Sequence, residues 1–359
     1  MLSCAWSGKC GTVNGKREAC MIELNDDELL FSFPEVCPNA VLRIGFMRTL
    51  RIPDDDKTYF LPPGLGKFPL RHVDDFQDRI PSTWLEQGGI MLPMYQAEAL
   101  WLSFDSGRTW RFRQAEHFPS PYPFLIRIGT GKINAVTGKP WTDQVSRDPQ
   151  DYVVAPEQPW LDGYCVEKGT IRQFVAMPLG QGYSVEEQIT GKAEHGGLQI
   201  VAYPIKREAY EERRRSVREQ VVCMYQVSDE MGLAPGGRMK QKIYEDPYQF
   251  EDWDLDHRSR CFVHIANPIA WKAITGRYPR IAPPSAEKYN KHGLPWFDYY
   301  DTDIKALDGA KALQGMKSIV ETSVEKAETV LLENESFETK NVVMLEGVKN
   351  KSIVREGKF

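Results

Sequence analysis

The chain has 359 residues, 42% of them hydrophobic and 26% charged, which suits one large globular domain or two packed ones and excludes a mainly disordered or fibrous chain. Its formal net charge is -5, from 45 Lys and Arg against 50 Asp and Glu, and the two signs are interspersed. No basic block attracts nucleic acid at long range, so we predict no nucleic-acid partner.

The N-terminal segment, residues 1–40, has no basic stretch followed by a long apolar run, so we expect no secretory signal. No later window approaches the roughly 20 apolar residues of a membrane span. We therefore predict a cytoplasmic protein without membrane association, and the seven cysteines fit the free thiols of a reducing compartment. Cys4, Cys10, Cys20 and Cys37 crowd this segment as unpaired thiols, or as a structural zinc site with unusually wide ligand intervals.

Residues 41–205 are predicted to form an antiparallel β domain. Apolar and polar residues nearly alternate from Val41 to Ile52, which predicts a strand. Further strands are predicted at Gly89–Met94, Ala99–Phe104, Phe124–Ile128, Tyr152–Ala155, Thr170–Pro178 and Gly197–Tyr203. Because no helices separate these strands, we expect an antiparallel β-sandwich or barrel-like core and not a βαβ fold.

Residues 206–302 are predicted to be a mixed α+β region packed on that domain, which makes the fold class β-rich α+β. A surface helix is expected from Lys206, and a second helix at Pro268–Thr275 with Asn267 as its N-cap. Between them we expect a strand at Cys261–Ile265 and a hairpin, with strands at Val221–Val227 and Arg238–Tyr244 and a loop at 232–237.

From residue 303 to residue 359 the composition changes, because Lys, Glu, Ser and Ala replace the aromatic residues. We interpret this region as a C-terminal tail that is loosely packed or docked on a partner. The predicted partners are a second copy of the chain, which would make a homo-oligomer, or another protein.

The densest cluster of possible metal ligands follows Glu251. On an extended segment Asp254, Asp256 and His264 would share one face, and carboxylates with one imidazole suit manganese, iron or catalytic zinc. We name these three residues as a candidate metal site. The alternative is a surface acidic turn neutralised by Arg258 and Arg260.

Other candidate motifs are weaker. Gly129-Thr130-Gly131-Lys132 lacks the spacing of a phosphate-binding loop and predicts a hairpin instead. His72 and Asp74 can point to the same strand face, as in a base or metal pair, or they are ordinary surface charges. His195 lies in a predicted exposed turn, and no nucleophile elbow or His-Glu-x-x-His motif occurs in the sequence.

One stretch carries a resemblance. It comprises the runs Arg172–Gly180, Gly182–Gly191 and Gly196–Ile200. This stretch resembles one found in a family of uncharacterised soluble microbial proteins, and the similarity also takes in Trp160–Tyr164 and Pro295–Tyr300. The resemblance implies a shared fold and assigns no active site.

Two functions follow as hypotheses. The first is a non-catalytic binding or self-assembling protein, whose contact surfaces are its tail and its aromatic, proline-rich loops at Tyr122, Trp160 and Trp296. The second is a metal-dependent hydrolase or oxygenase that uses Asp254, Asp256 and His264.

Overall fold

A computed structural model of the chain describes residues 22–55, 57–105, 121–216, 232–279, 282–300, 305–328 and 334–346. The strands of this part of the chain are β1 (Ile22–Asn25), β2 (Glu28–Ser32), β3 (Val41–Leu50), β4 (Thr58–Tyr59), β5 (Gly64–Lys67), β6 (Arg71–His72), β7 (Ile90–Pro93), β8 (Glu98–Asp105), β9 (Phe124–Thr130), β10 (Ile133–Asn134), β11 (Val153–Ala155), β12 (Trp160–Leu161), β13 (Gly163–Glu167), β14 (Thr170–Met177), β15 (Leu198–Pro204), β16 (Gly232–Lys240), β17 (Ser259–Ala266), β18 (Trp296–Tyr300) and β19 (Val342–Glu346).

The α-helices of the same ranges are short: α1 (Ser82–Gln87), α2 (Val185–Thr190), α3 (Arg207–Ser216), α4 (Pro268–Thr275), α5 (Ala286–Lys291), α6 (Lys311–Gln314) and α7 (Ile319–Glu325). The described residues also include two 3-10 helices, at Val73–Phe76 and Phe250–Asp252. The fold is therefore β-rich, as predicted. None of the described helices combines the length and the apolar composition that a membrane crossing requires.

The strands form two large sheets and one small sheet. The ten-stranded sheet runs β1-β2-β3-β8-β14-β16-β4, with β5, β12 and β13 attached beside β3, β8 and β14. The seven-stranded sheet runs β10-β9-β15-β17-β7-β6, with β11 beside β9. β18 pairs with β19 by itself. One hydrophobic cluster draws on both large sheets, for example through Phe46 of β3 and Ile128 of β9.

The predicted antiparallel core needs a correction, because the sheets are mixed. Most neighbours are antiparallel, but β16 and β4, β17 and β7, and β18 and β19 are parallel pairs. The sheets are also not closed, so the barrel-like alternative is wrong.

Most predicted elements are confirmed, and one is wrong. The strands expected from Val41, Gly89, Ala99, Phe124, Tyr152, Thr170, Gly197 and Cys261 are all present, as are the helices α3 and α4. Asn267 caps α4 by accepting hydrogen bonds from the backbone of Ile269 and Ala270. The predicted loop at 232–237 is instead the first part of β16, and Val221–Val227 lies outside the described residues.

The predicted boundaries at residues 40, 205 and 303 do not coincide with the edges of the sheets. β1 and β2 precede residue 40 and belong to the ten-stranded sheet. Beyond residue 205, β16 pairs with β14 and β17 pairs with β15. Beyond residue 303, β19 pairs with β18, and Leu313, Met316 and Ile319 are buried.

Candidate functional site

A cleft of about 510 Å³ opens at one end of the two large sheets. The end of β14 contributes Met177, while His264 and Ile265 come from β17 of the other sheet. The start of α4 adds Asn267 and Pro268. A cleft of this size suits a small-molecule ligand.

His264 is the most deeply buried polar side chain among the described lining residues, at 1% exposure. Its Nε2 lies 2.9 Å from the carbonyl oxygen of Gly88. The imidazole stacks with Trp84, at 4.7 Å between ring centroids, and with Phe262, at 4.5 Å. Phe262 and His264 share a strand face because they are two residues apart on β17.

The turn after α1 brings Gly88 to His264. The backbone N–H of Gly88 ends α1 by donating to the carbonyl of Trp84. Gly89, with φ +89°, then passes so close to the backbone carbonyl of Phe262 that a Cβ on Gly89 would overlap it. Gly88 and Gly89 both have positive φ, which lets the chain turn sharply after α1. The short segment from Trp84 to Gly89 therefore supplies His264 with both the stacking ring of Trp84 and the accepting carbonyl of Gly88.

The His264 imidazole is neutral near pH 7. Burial lowers the pKa of His264 to about 4, and the hydrogen bond with Gly88 opposes this shift only in part. Because a carbonyl oxygen can only accept, Nε2 carries the proton and donates a hydrogen bond to the carbonyl oxygen of Gly88. In the neutral ring Nδ1 is then an acceptor.

A second wall of the cleft is the turn at His195, Gly196 and Gly197. The carboxylate of Glu186 on α2, 2% exposed, holds this turn in place. Its Oε1 accepts from the backbone N–H groups of Glu194, at 3.0 Å, and His195, at 2.8 Å, while Oε2 accepts from that of Gly196, at 2.8 Å. Three backbone donors replace the water that this buried carboxylate has lost.

The rest of the lining is uncharged. Tyr95 and Gln96 lie between β7 and β8, and Pro178 and Leu179 follow β14. Leu179 is 41% exposed at the rim. No described lining residue is an acid, a Lys, an Arg, a Ser, a Thr or a Cys. The described lining of the cleft therefore offers apolar surface together with hydrogen-bonding groups.

The three predicted metal ligands do not converge. The backbone N–H of Asp254 donates to Pro204 at one end of β15, whereas Val263, the neighbour of His264, lies opposite Leu198 at the other end. The seven residues of β15, from Leu198 to Pro204, span roughly 20 Å. The prediction failed because the chain after Trp253 turns instead of extending, which takes Asp254 away from His264.

Asp254 belongs to a local turn. Its Oδ1 accepts from the backbone N–H groups of Asp256, at 3.2 Å, and His257, at 3.1 Å, and its Oδ2 lies 2.9 Å from Nδ1 of His257. Asp256 is exposed. The alternative of a surface acidic turn fits this arrangement, although His257 pairs with the carboxylate in place of the two expected arginines.

Among the described residues, the other candidate ligands are not grouped into a metal site. In the part of the chain that the structure describes, no three His, Cys, Asp or Glu side chains are grouped so as to hold a metal ion. His72 on β6 and Asp74 in the 3-10 helix are both exposed. Cys37 is buried, and the other three cysteines of the possible zinc site lie outside the described residues.

The structure contains the two predicted turns, at residues 129–132 and at His195. Gly129–Lys132 is a hairpin, as predicted, because β9 and β10 pair across Gly131 and Lys132, which both have positive φ. His195 lies at the predicted turn, but it lines the cleft and its side chain is only 28% exposed.

Sequence reasoning missed Trp84 and Phe262 as neighbours of His264. The alternation of Phe262 with His264 was a usable signal for one of them. The position of Trp84 depends on α1, which the sequence analysis did not predict.

Comparisons of the chain with protein-family models, with curated proteins and with solved structures gave no match. The resemblance to microbial proteins therefore stays a prediction.

Proposed function

We propose that the protein is a non-catalytic binding protein and that the cleft at His264 takes an uncharged, largely apolar small molecule. The observation that carries this proposal is the lining, which combines aromatic and aliphatic walls with one deeply buried neutral imidazole. None of the lining residues that the structure describes is an Asp, Glu, Lys or Arg. A charged ligand would lose its hydration here without gaining a partner of opposite charge, which is costly.

The aromatic loops give less support to self-assembly than the sequence indicated. Tyr122 and Trp296 are buried at 1% and 0% exposure, so they pack into the core instead of forming contact surfaces. Leu179, 41% exposed, is an apolar side chain of the cleft lining, and Ile269, 78% exposed, directly follows the lining residue Pro268 in the chain. Apolar exposure beside a concave site is typical of ligand binding.

The test is a titration with indole, an uncharged aromatic probe, followed by isothermal calorimetry and by amide chemical shifts. We expect saturable binding, with the largest shifts in residues 84–96, 177–179, 195–197 and 264–268. Trp84→Ala removes an aromatic wall and should weaken binding by about threefold to tenfold, since an aromatic contact contributes about 0.5–1.5 kcal/mol beyond its buried area.

Tyr278→Ala is the matched control, because it removes an aromatic ring that is 65% exposed and lies outside the cleft lining. This variant should bind indole as the wild type does. Absence of saturable binding to the wild type, or equal loss in the two variants, would show that the proposal is wrong.

No observation favours the metal-dependent hydrolase or oxygenase, because its three ligands are spread over both ends of β15.

We propose in addition that the two large sheets pack face to face as a sandwich, with the cleft at one end. The support is the single hydrophobic cluster to which both sheets contribute.

A further inference from the structure

We propose that the ligand of this cleft donates a hydrogen bond, from an N–H or O–H group, to Nδ1 of His264. The inference rests on the proposed function and narrows its ligand class to uncharged, flat molecules that carry a donor. It follows from how the other parts of the imidazole are already engaged.

Both faces of the imidazole are covered. Trp84 and Phe262 stack on it at interplanar angles of 23° and 19°. Trp84 and Phe262 each stack on the imidazole, and no ring contact joins these two described residues to each other. The two rings therefore lie on opposite faces of the imidazole. A ligand can therefore reach His264 only along the edge of the ring.

One nitrogen on that edge is already used. The N–H group at Nε2 donates a hydrogen bond to the carbonyl oxygen of Gly88 at 2.9 Å, so in the neutral ring Nδ1 has a free lone pair and no proton. This tautomer is set by the protein, because a carbonyl oxygen cannot donate to the ring. A ligand that offers only an acceptor has no partner here.

Nδ1 is accessible from the cleft. Nδ1 forms no hydrogen bond with any described residue. A polar atom without a partner is either fully buried or in contact with solvent, and Nδ1 is not fully buried. His264 is nevertheless 1% exposed overall and lines the cleft. The small exposed part of the ring thus includes its acceptor nitrogen, and a donor that fills this site replaces water.

The discrimination between ligands should be large for a single contact. A ligand that occupies the cleft without a donor leaves a buried acceptor unpaired, and such a loss costs more than an exposed hydrogen bond would. We expect a preference of about fivefold to thirtyfold for a molecule with the donor over the same molecule without it.

The experiment compares three probes by calorimetry: indole, 1-methylindole, in which a methyl group replaces the N–H hydrogen, and 3-methylindole, which has the same added methyl group but keeps the N–H. Wild type should bind indole and 3-methylindole more tightly than 1-methylindole. His264→Phe keeps a flat ring between Trp84 and Phe262 but removes the acceptor, so its affinities for 1-methylindole and 3-methylindole should be equal.

A second measurement uses the wild type alone, so it does not depend on the folding of the variant. In protein labelled with ¹⁵N histidine, the Nδ1 resonance of His264 should lie in the range of an unprotonated imidazole nitrogen. It should shift on addition of indole and change little on addition of 1-methylindole. A protonated Nδ1 would overturn the inference.

The outcomes separate the two proposals. If none of the three probes binds, the proposed function fails and the inference fails with it. If all three bind to the wild type with equal affinity, the cleft is a binding site and only the inference about Nδ1 is wrong. Tighter binding of the two N–H probes, abolished in His264→Phe, supports both.

Discussion

At the scale of single residues, His264 differs from the other predicted ligands in its burial. Asp254 and Asp256 satisfy a turn at the surface, whereas His264 has lost its water and keeps one backbone partner. Burial disfavours the imidazolium, and no carboxylate lies against the ring to compensate for it among its described contacts. The result is a histidine that stays an acceptor through the neutral pH range.

The first prediction concerns pH. An unfolded histidine takes up a proton near pH 6.5, whereas the pKa of folded His264 is about 4. Between these values the unfolded state binds more protons, so the free energy of unfolding falls as the pH falls from 6.5 to 4. The full effect is on the order of 3 kcal/mol. It should be absent from His264→Phe.

Urea unfolding at several pH values measures this effect as the difference between wild type and His264→Phe. The difference is needed because another buried group also changes the free energy of unfolding over this pH range. Burial raises the pKa of Asp162 to about 7, so Asp162 stabilises the folded state as the pH falls, which is opposite to the effect of His264. His292→Phe, at an exposed histidine, controls for the loss of a histidine as such. Parallel curves for wild type and His264→Phe would mean that His264 is not held neutral.

At the scale of elements, α2 holds one wall of the cleft through Glu186, and this gives the second prediction. Glu186→Gln replaces one acceptor oxygen by an NH2 group that meets backbone donors, so at least one buried N–H loses its partner. We expect a loss of about 1–3 kcal/mol in unfolding free energy, measured by urea denaturation. Indole binding should weaken as well, since the displaced turn lines the cleft.

Glu194→Gln is the control for this experiment, because it makes the same substitution in the same turn at an exposed side chain. Its stability should stay within about 0.5 kcal/mol of the wild type. Equal stability of the two variants would show that the contacts of Glu186 do not fix the turn.

Strands with regular alternation could be predicted from sequence, and β16 shows why others could not. Its first residues, Gly-Leu-Ala-Pro-Gly-Gly, have the composition of a turn. In the structure the glycines serve close packing, because a Cβ on Gly236 would overlap Val175 and one on Gly237 would overlap the backbone of Pro53. A glycine needed for a close approach and a glycine needed for a turn look alike in a single sequence.

The site was harder to predict than the fold for a related reason. His264 was identified because of its residue type, but its real neighbours, Trp84 and Gly88, lie about 180 residues earlier in the chain. The parallel pairing of β17 with β7 brings them together. Pairing between strands distant in sequence depends on the whole fold, and local alternation carries no information about it.

At the scale of the whole molecule, the C-terminal region is part of the folded body. The carboxylate of Asp54 accepts a hydrogen bond from the backbone N–H of Val320 at 3.1 Å, and the side chain of Gln188 forms two hydrogen bonds with the backbone of Lys317. Ile319 packs in a buried cluster with Met177, which lines the cleft. The described part of this region therefore packs against the rest of the chain and supports the cleft.

The third prediction follows from this docking. A chain that ends at residue 302 loses Leu313, Met316 and Ile319, which are 0%, 6% and 2% exposed, and uncovers the surfaces that they bury. Each buried apolar side chain contributes about 1.5–3 kcal/mol, so the loss is comparable to the roughly 5–15 kcal/mol that stabilises a typical domain. We expect the truncated chain to be unfolded or aggregated at 25 °C, as measured by circular dichroism and size-exclusion chromatography.

Two further variants serve as controls. A chain that ends at Glu346 keeps every described residue and should unfold cooperatively. Leu313→Ala in the full chain should cost about 2–5 kcal/mol in unfolding free energy, because it leaves a cavity in the core. A soluble, cooperatively folded 1–302 chain with the urea midpoint of the wild type would support the predicted tail that is loosely packed or docked on a partner. The structure predicts the opposite, because residues 305–328 contribute buried side chains to its hydrophobic clusters.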